Sequence, residues 1–240
     1  MRVLVLFFLT VFGLFAMDAN EIIKKMDSLM IGKSSYTKLS MSVETKRTKR
    51  TMVMEAWSEG NDKSFIRVLY PQKDKDITFL KIDNAMWQFV PKIEKTIKIP
   101  PSMMLQSWMG SDFTNDDMIK ESSIVNDYHK KIISENEESW TVELMPKEDA
   151  AVVWGKIIMN VHKEYFMPLK VEYFDEEMSL ARELFYSDFK KTKERTFPHR
   201  WEMIPKNEEK KGNKTTIIVE EIKFDIKIDK EMFTKRALKL

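Results

Sequence analysis

A period of two constrains this chain more than anything else in it. Leu39, Met41 and Val43 alternate with Ser40, Ser42 and Glu44, and Met52, Met54 and Ala56 alternate with Thr51, Val53 and Glu55. Alternation of this kind assigns one set of side chains to each face of a pleated strand. These two runs meet across the basic turn at 46–50. Further runs occupy 64–70, 76–82, 86–90 and 95–99, and then 128–135, 139–145, 153–162, 169–174, 180–189, 200–204 and 215–226. The first set is bounded by Pro71, Asp83-Asn84, Pro91 and Pro100-Pro101, the second by turns at Pro146, Pro168, Pro198, Pro205 and the charged run 206–214. Proline cannot donate to a ladder, so prolines between runs support the division. Short, regularly spaced strands of this number predict one large antiparallel sheet curled into a barrel or half-barrel. No linker or composition break divides it, so one domain is expected.

Three stretches depart from that period. Residues 3–17 are apolar apart from Thr10 and Gly13 and follow Arg2, with a small residue at Ala16, which is the signature of a cleaved secretory signal peptide. The run is shorter than the roughly 20 residues that span a bilayer, so residues 1–16 are expected to be removed and 17–240 to form the exported domain, without a lipoprotein anchor. In 18–31, Ile22, Ile23, Met26, Leu29 and Met30 fall on one helical stripe, with Asp18 or Asn20 as cap and Gly32 at the end. Residues 100–123 are too long for a hairpin loop and too apolar for disorder, with Met103, Met104, Leu105, Trp108, Met109 and Phe113 in close succession. Thr114 followed by Asp116 and Asp117 starts a short helix there.

The chemistry is mostly exclusion. The absence of cysteine removes disulfides, thiol nucleophiles, iron–sulfur clusters and thiolate zinc sites. Basic and acidic side chains number 40 and 38, a balance unsuited to nucleic-acid binding. His129, His162 and His199 lie far apart, without metal spacing, and no nucleophile–base pair is visible. Asp112, Asp116 and Asp117 read as helix caps before they read as an acid–base or cation site, and the basic turn at 46–50 as a solvated tip before a lipid-headgroup contact. No metal, cofactor or catalytic residue is implied. The 18 methionines are the positive signal. Flexible, polarisable side chains suit a surface that must fit variable apolar shapes.

At this point the sequence resembles a known family. Residues 93–117, with IPPSMMLQSWMGSDFTNDD at their centre, are similar to the signature of the LolA-like outer membrane lipoprotein-sorting proteins. MPKEDAAVVWGKIIMNVHKEYFMPLKVEYFDE (145–176) and FDIKIDKEMFTKRAL (224–238) resemble the same family. The resemblance implies the LolA/LolB fold, an unclosed antiparallel half-barrel of about eleven strands covered by an N-terminal helix and a mid-sheet helical lid. It implies a non-enzymatic periplasmic carrier of lipid or lipoprotein acyl chains between inner and outer membrane, loaded by an inner-membrane transporter of the ABC or RND type, with an outer-membrane acceptor. The alternative is a periplasmic sensor of envelope lipid or lipoprotein status that binds a protein partner. Such regulators carry a further C-terminal domain, and this chain is expected to end with the barrel. The resemblance transfers no lid-locking role to Arg47, Arg50 or Arg67.

Strand parity predicts that Met52, Met54, Ile66, Val68, Val153, Ile157 and Met159 face the concave, lipid-binding interior. Runs 76–82 and 86–90 are apolar on both sets, so their facing stays open. The insertion is expected to act as a lid formed by Met103, Met104, Leu105, Trp108, Met109 and Phe113, hinged at Gly110, because six large apolar side chains permanently exposed would make a sticky surface.

Overall fold

The computed structural model describes residues 17–120, 124–192 and 195–239. The signal-peptide reading of 1–16 lies outside the described residues. The first helix, α1 (Ala19–Ile31), starts at a capping box in which Asp18 accepts from the Glu21 amide at 2.8 Å and Glu21 accepts from the Asp18 amide at 3.1 Å. Its buried stripe is Ala19, Ile22, Ile23 and Met26. Full burial of each of the two isoleucines contributes about 1.5–3 kcal/mol. Gly32 ends the helix at φ +71°, where a Cβ would lie 3.0 Å from Phe224. Arg195 ties that end to the sheet, donating to the Leu29 carbonyl at 2.8 Å while pairing with Asp225 at 2.9 Å.

Then come β1 (Ser34–Glu44), β2 (Lys49–Glu59), β3 (Lys63–Tyr70), β4 (Thr78–Ile82), β5 (Ala85–Val90) and β6 (Lys95–Lys98). After the insertion and α2 (Asn115–Lys120) follow β7 (Tyr128–Glu135), β8 (Ser139–Pro146), β9 (Lys156–His162), β10 (Pro168–Phe174), β11 (Leu180–Thr192), β12 (Arg195–Pro205) and β13 (Lys214–Phe224). All thirteen form one sheet in the order β6-β5-β4-β3-β2-β1-β13-β12-β11-β10-β9-β8-β7. Every pairing is antiparallel, and β6 and β7 are the two edges, so the curled sheet is unclosed. The eleven strands implied by the resemblance are thus too few, whereas the alternating runs match the strands one for one. Among the described residues the helical cover is α1 and the short α2, with 101–113 forming turns and single 3-10 turns.

Two local expectations are corrected. Pro198 lies within β12 and not at a turn; pairing with β13 begins only at Arg200, so the missing N–H falls outside that ladder. Val153 precedes β9 and belongs to the loop at 151–155, held there by the close approach of Gly155 to Asp175 and Glu176.

The sheet buries both faces. On the inner face, cross-strand partners run in apolar rows: Leu39–Met54–Val68, Met52–Met41–Ile217–Trp201–Tyr186, and Val142–Met159–Val171–Leu184–Met203. These rows, α1 and the insertion share one core. On the outer face another row runs Tyr36–Trp57–Phe65–Leu80–Trp87. Phe233, Ala237 and Leu238, on 3-10 turns after β13, cover Phe65 and Leu80 in a smaller core, and Thr78 Oγ1 donates to the Leu238 carbonyl at 2.7 Å. That cover explains why β4 and β5 are apolar on both sets.

Candidate functional site: a cavity beneath the insertion

Topology puts the insertion across the open side. The chain leaves the sheet at one edge, β6, and re-enters at the other, β7, so the connection between them, described over 99–120 and 124–127, crosses the open side. The crossing segment is bonded to itself: Trp108 N–H donates to the Phe113 carbonyl (2.8 Å), Asn115 N–H to that of Gln106 (3.0 Å) and Asp116 N–H to that of Met104 (2.8 Å). Thr114 and Asp117 cap α2 reciprocally, at 2.7 and 3.2 Å. The segment is therefore built as a unit.

Side chains from four other places fasten it to the sheet. Arg50 of β2 donates to the Met109 carbonyl. Arg182 of β11 makes a two-pronged contact with Asp117, Nη1 to Oδ2 at 2.7 Å and Nη2 to Oδ1 at 2.5 Å, and Nη1 also reaches the Asp112 carbonyl at 3.3 Å. Thr215 of β13 donates to Asp112 Oδ2 at 2.8 Å and accepts from the Asp112 amide at 2.9 Å, and Lys210, in the β12–β13 turn, stands 3.9 Å from Asp112 Oδ1. Burial pushes the Asp112 carboxyl above its ordinary pKa, against the Thr215 hydrogen bond and the two cations. For Arg182, burial opposes the charge and Asp117 outweighs it, so its pKa is raised.

Beneath this cover lies a cavity of about 130 Å³, lined by α1 (Met26, Asp27, Met30, Ile31), the insertion (Phe113, Asp116, Asp117), the 151–155 loop (Val152, Val153, Trp154) and inner-face side chains from Ile157 to Ile217. The lining is mainly apolar, with Arg182 and the three carboxylates as its charged groups. Asp27 is pushed up to about 6 by burial, opposed by a hydrogen bond from Asn61 at 3.3 Å.

The residues expected to face the interior divide. Val153, Ile157 and Met159 line the cavity. Met52, Met54 and Val68 are fully buried in the packing beside it, and Ile66 is half-buried on the same face. Of the insertion, Trp108 and Phe113 are buried, Met103, Met104 and Met109 half-buried, and Leu105 is 64% exposed. Trp108 packs on Phe79 with ring centroids 5.3 Å apart, and its Nε1 has no partner among the described residues. Met109 and Gly110 both sit at positive φ, +50° and +67°. Sequence reading missed Arg182 and gave Arg50 no role. The signal for Arg182 was parity: Leu180, Arg182, Leu184 and Tyr186 form the apolar set of their strand, and one of them is charged.

An unclosed antiparallel half-barrel with a covered apolar cavity on its inner face defines the class: this is a LolA-like fold. Among solved structures, it superposes on a DUF1329 family protein from Desulfovibrio piger with a TM-score of 0.83, at 20% identity, covering 92% of this chain and 97% of that one. A putative outer membrane lipoprotein-sorting protein domain from Vibrio parahaemolyticus gives 0.79 at 19% identity (92% and 98% covered), and a LolA superfamily protein from Nitrosomonas europaea 0.77 at 20% (92% and 100%). The chain belongs to the family whose model, described as "Uncharacterized protein", matches residues 60–240. No curated protein matches it. Among the described residues, no helix is long and apolar enough to cross a membrane.

Proposed function

We propose that the protein is a non-enzymatic periplasmic carrier that takes lipid or lipoprotein acyl chains into the inner-face cavity and moves them between the inner and outer membranes. An inner-membrane transporter of the ABC or RND type loads it, an outer-membrane acceptor receives the cargo, and residues 1–16 direct export. One observation carries this reading: an apolar cavity lies under a self-bonded segment that is fastened to the sheet by polar side chains. The fastenings from Arg50 and Lys210, which reach solvent, exchange for water at small net cost, while Trp108 and Phe113 exchange protein contacts for acyl contacts. The segment with Met103, Met104, Leu105, Trp108, Met109 and Phe113 is then the lid, and Met52, Met54, Ile66, Val68, Val153, Ile157 and Met159 belong to the surface it uncovers. The volume argues for movement, since about 130 Å³ is well below the roughly 300–1,000 Å³ of pockets that bury whole ligands.

Native mass spectrometry of protein purified from its own envelope tests this. Co-purifying phospholipid or acylated protein supports carriage; protein free of lipid with a tightly bound protein partner refutes it in favour of sensing. Single cysteines at the seven interior positions, in a chain with no cysteine of its own, should label slowly with a water-soluble reagent and be further protected by lipid.

A further inference from the structure

Among the described residues Arg182 is the one cation in the cavity lining, and its surroundings are unusual for a cation. It sits in a cross-strand row with Leu144, Ile157 and Tyr173 and is 5% exposed. Its guanidinium carbon lies 4.4 Å from the Trp154 ring centre and 4.5 Å from that of Tyr173. Every acceptor of its hydrogen bonds among the described residues belongs to the insertion: both oxygens of Asp117 and the carbonyl of Asp112. Its Nε is buried and has no partner among those residues.

These facts create a problem when the insertion lifts. Asp117 and Asp112 leave with it, while Arg182 stays on β11 against two aromatic rings. A guanidinium stripped of its carboxylate in an apolar cavity is strongly disfavoured. A group that can succeed Asp117 must present two oxygens on one centre to the planar fork, which describes a carboxylate or a phosphate. The aromatic rings leave the fork accessible from the side Asp117 now fills. Of the remaining cavity carboxylates, Asp116 travels with the insertion, and Asp27 on α1 accepts a hydrogen bond from Asn61.

We propose that Arg182 is the headgroup-binding residue of the cavity, and that its cargo is an acyl amphiphile with an anionic head, carboxylate or phosphate, which takes over the guanidinium as Asp117 departs. The inference rests on the carrier reading above and narrows it to one chemical class. Asp117 is then an internal mimic of the cargo head, and loading is an exchange of one anion for another. Amphiphiles with uncharged heads lose that exchange and must open the insertion against an unpaired charge.

The test compares ligands of one chain length below their micellar concentrations: palmitate and palmitoyl lysophosphatidate as anions, monopalmitoyl glycerol as the neutral counterpart, and acetate and inorganic phosphate as heads without a chain. Binding to the mature protein is followed by calorimetry and tryptophan emission. The readout is the ratio of anionic to neutral affinity, in which any loosening of the insertion cancels. The wild type should favour the anions by about tenfold, the worth of one charge-assisted hydrogen bond. Asp117→Asn, which frees the fork, should raise the ratio further. The pair Asp117→Asn with Arg182→Gln, which removes both members of the buried ion pair together and is checked for fold by circular dichroism, should bring it near one while still binding the neutral ligand. A ratio near one in the wild type that neither variant changes overturns the headgroup assignment and leaves carriage standing. Failure of all three amphiphiles to bind overturns both. Acetate or phosphate binding as tightly as the amphiphiles also overturns the proposal, because the site would then serve a soluble anion.

Discussion

Replacing Trp108 separates a lid from a piece of ordinary core. The indole is 4% exposed and packs on Phe79. In a core that unfolds only as a whole, Trp108→Ala would cost about 3–5 kcal/mol. A segment that can lift on its own sets a ceiling on that loss. If the lifted state is populated at about 0.1–10%, it lies roughly 1.4–4 kcal/mol above the closed one. Once the variant prefers the lifted state, further damage to closed-state contacts no longer reaches the rest of the molecule. With an opening cost of about 2 kcal/mol and a contact loss of about 4, global stability falls by only about 2 kcal/mol, and the segment becomes mostly open. Guanidinium denaturation reads the first quantity. Hydrogen exchange at the amides of Trp108 and Ser111, bonded at 2.8 and 3.0 Å within the insertion, reads the second. Those two amides should lose protection by far more than the amides of β1 and β13. Trp108→Phe is the companion variant: it removes the unpaired Nε1, worth about 1–3 kcal/mol, which offsets the smaller ring and leaves stability within about 1 kcal/mol of wild type. A full 4 kcal/mol loss in Trp108→Ala, with insertion amides exchanging only through global unfolding, would refute the lid.

Asp27→Asn tests the buried carboxyl. Its folded-state pKa of about 6 stands above the ordinary 3.8, so the folded state holds the proton more tightly, and wild-type stability falls as pH rises from about 4 to about 6. The variant should lack that slope and be more stable at pH 8 by about 1–2 kcal/mol, the shift discounted for partial exposure; equal slopes in thermal melts at pH 4 and pH 8 would count against it. Leu238→Ala, at a fully buried position in the outer core, should cost about 2–5 kcal/mol and alter emission from neighbouring Trp87; a loss below 1 kcal/mol in urea denaturation would show that the outer cover is not packed. Gly155→Ala would place its Cβ 2.4 Å from the Asp175 carbonyl oxygen and 3.0 Å from the Glu176 Cα, both backbone atoms, and should lose about 1–3 kcal/mol; denaturation at wild-type midpoint would mean that the loop yields.

Much of the sheet was legible because two independent signals agreed on it. Alternation marked the strands of β1 and β2, and Pro71 and Pro91 marked the ends of β3 and β5. The cap at Asp18 and the end at Gly32 fixed α1 through local hydrogen bonding, which is written in adjacent residues. The outer core was not legible, because Phe233 and Leu238 lie on 3-10 turns too short to show a period, and their partners are more than 140 positions away in sequence, as the bond from Thr78 to Leu238, 160 apart, illustrates. Val153 was read into a strand because the apolar run 151–154 lies only two residues before that of β9, although Gly155 and Lys156 separate them and the chain is still in a loop there. Asp117 explains the fate of the candidate site. It was legible as a helix cap and does cap α2, but its second role depends on β11 lying opposite, which spacing along the chain cannot reveal.

The pairing of β1 with β13 and the outer cover at residues 230–239 impose a timetable on the newly made chain. A polypeptide appearing N-terminus first completes β1 to β6 early, yet β1 then lacks one neighbour, and Phe65 and Leu80 remain bare. Neither defect is repaired until more than 200 residues have emerged, since the register joins Ser35 to Phe224. Contacts this distant along the chain form late and slowly. The first half is consequently held back from a stable fold until the second arrives, and a chain arrested before residue 214 should be digested by protease as an unfolded one. Slow self-completion is a useful property in any chain that must be threaded somewhere before it folds.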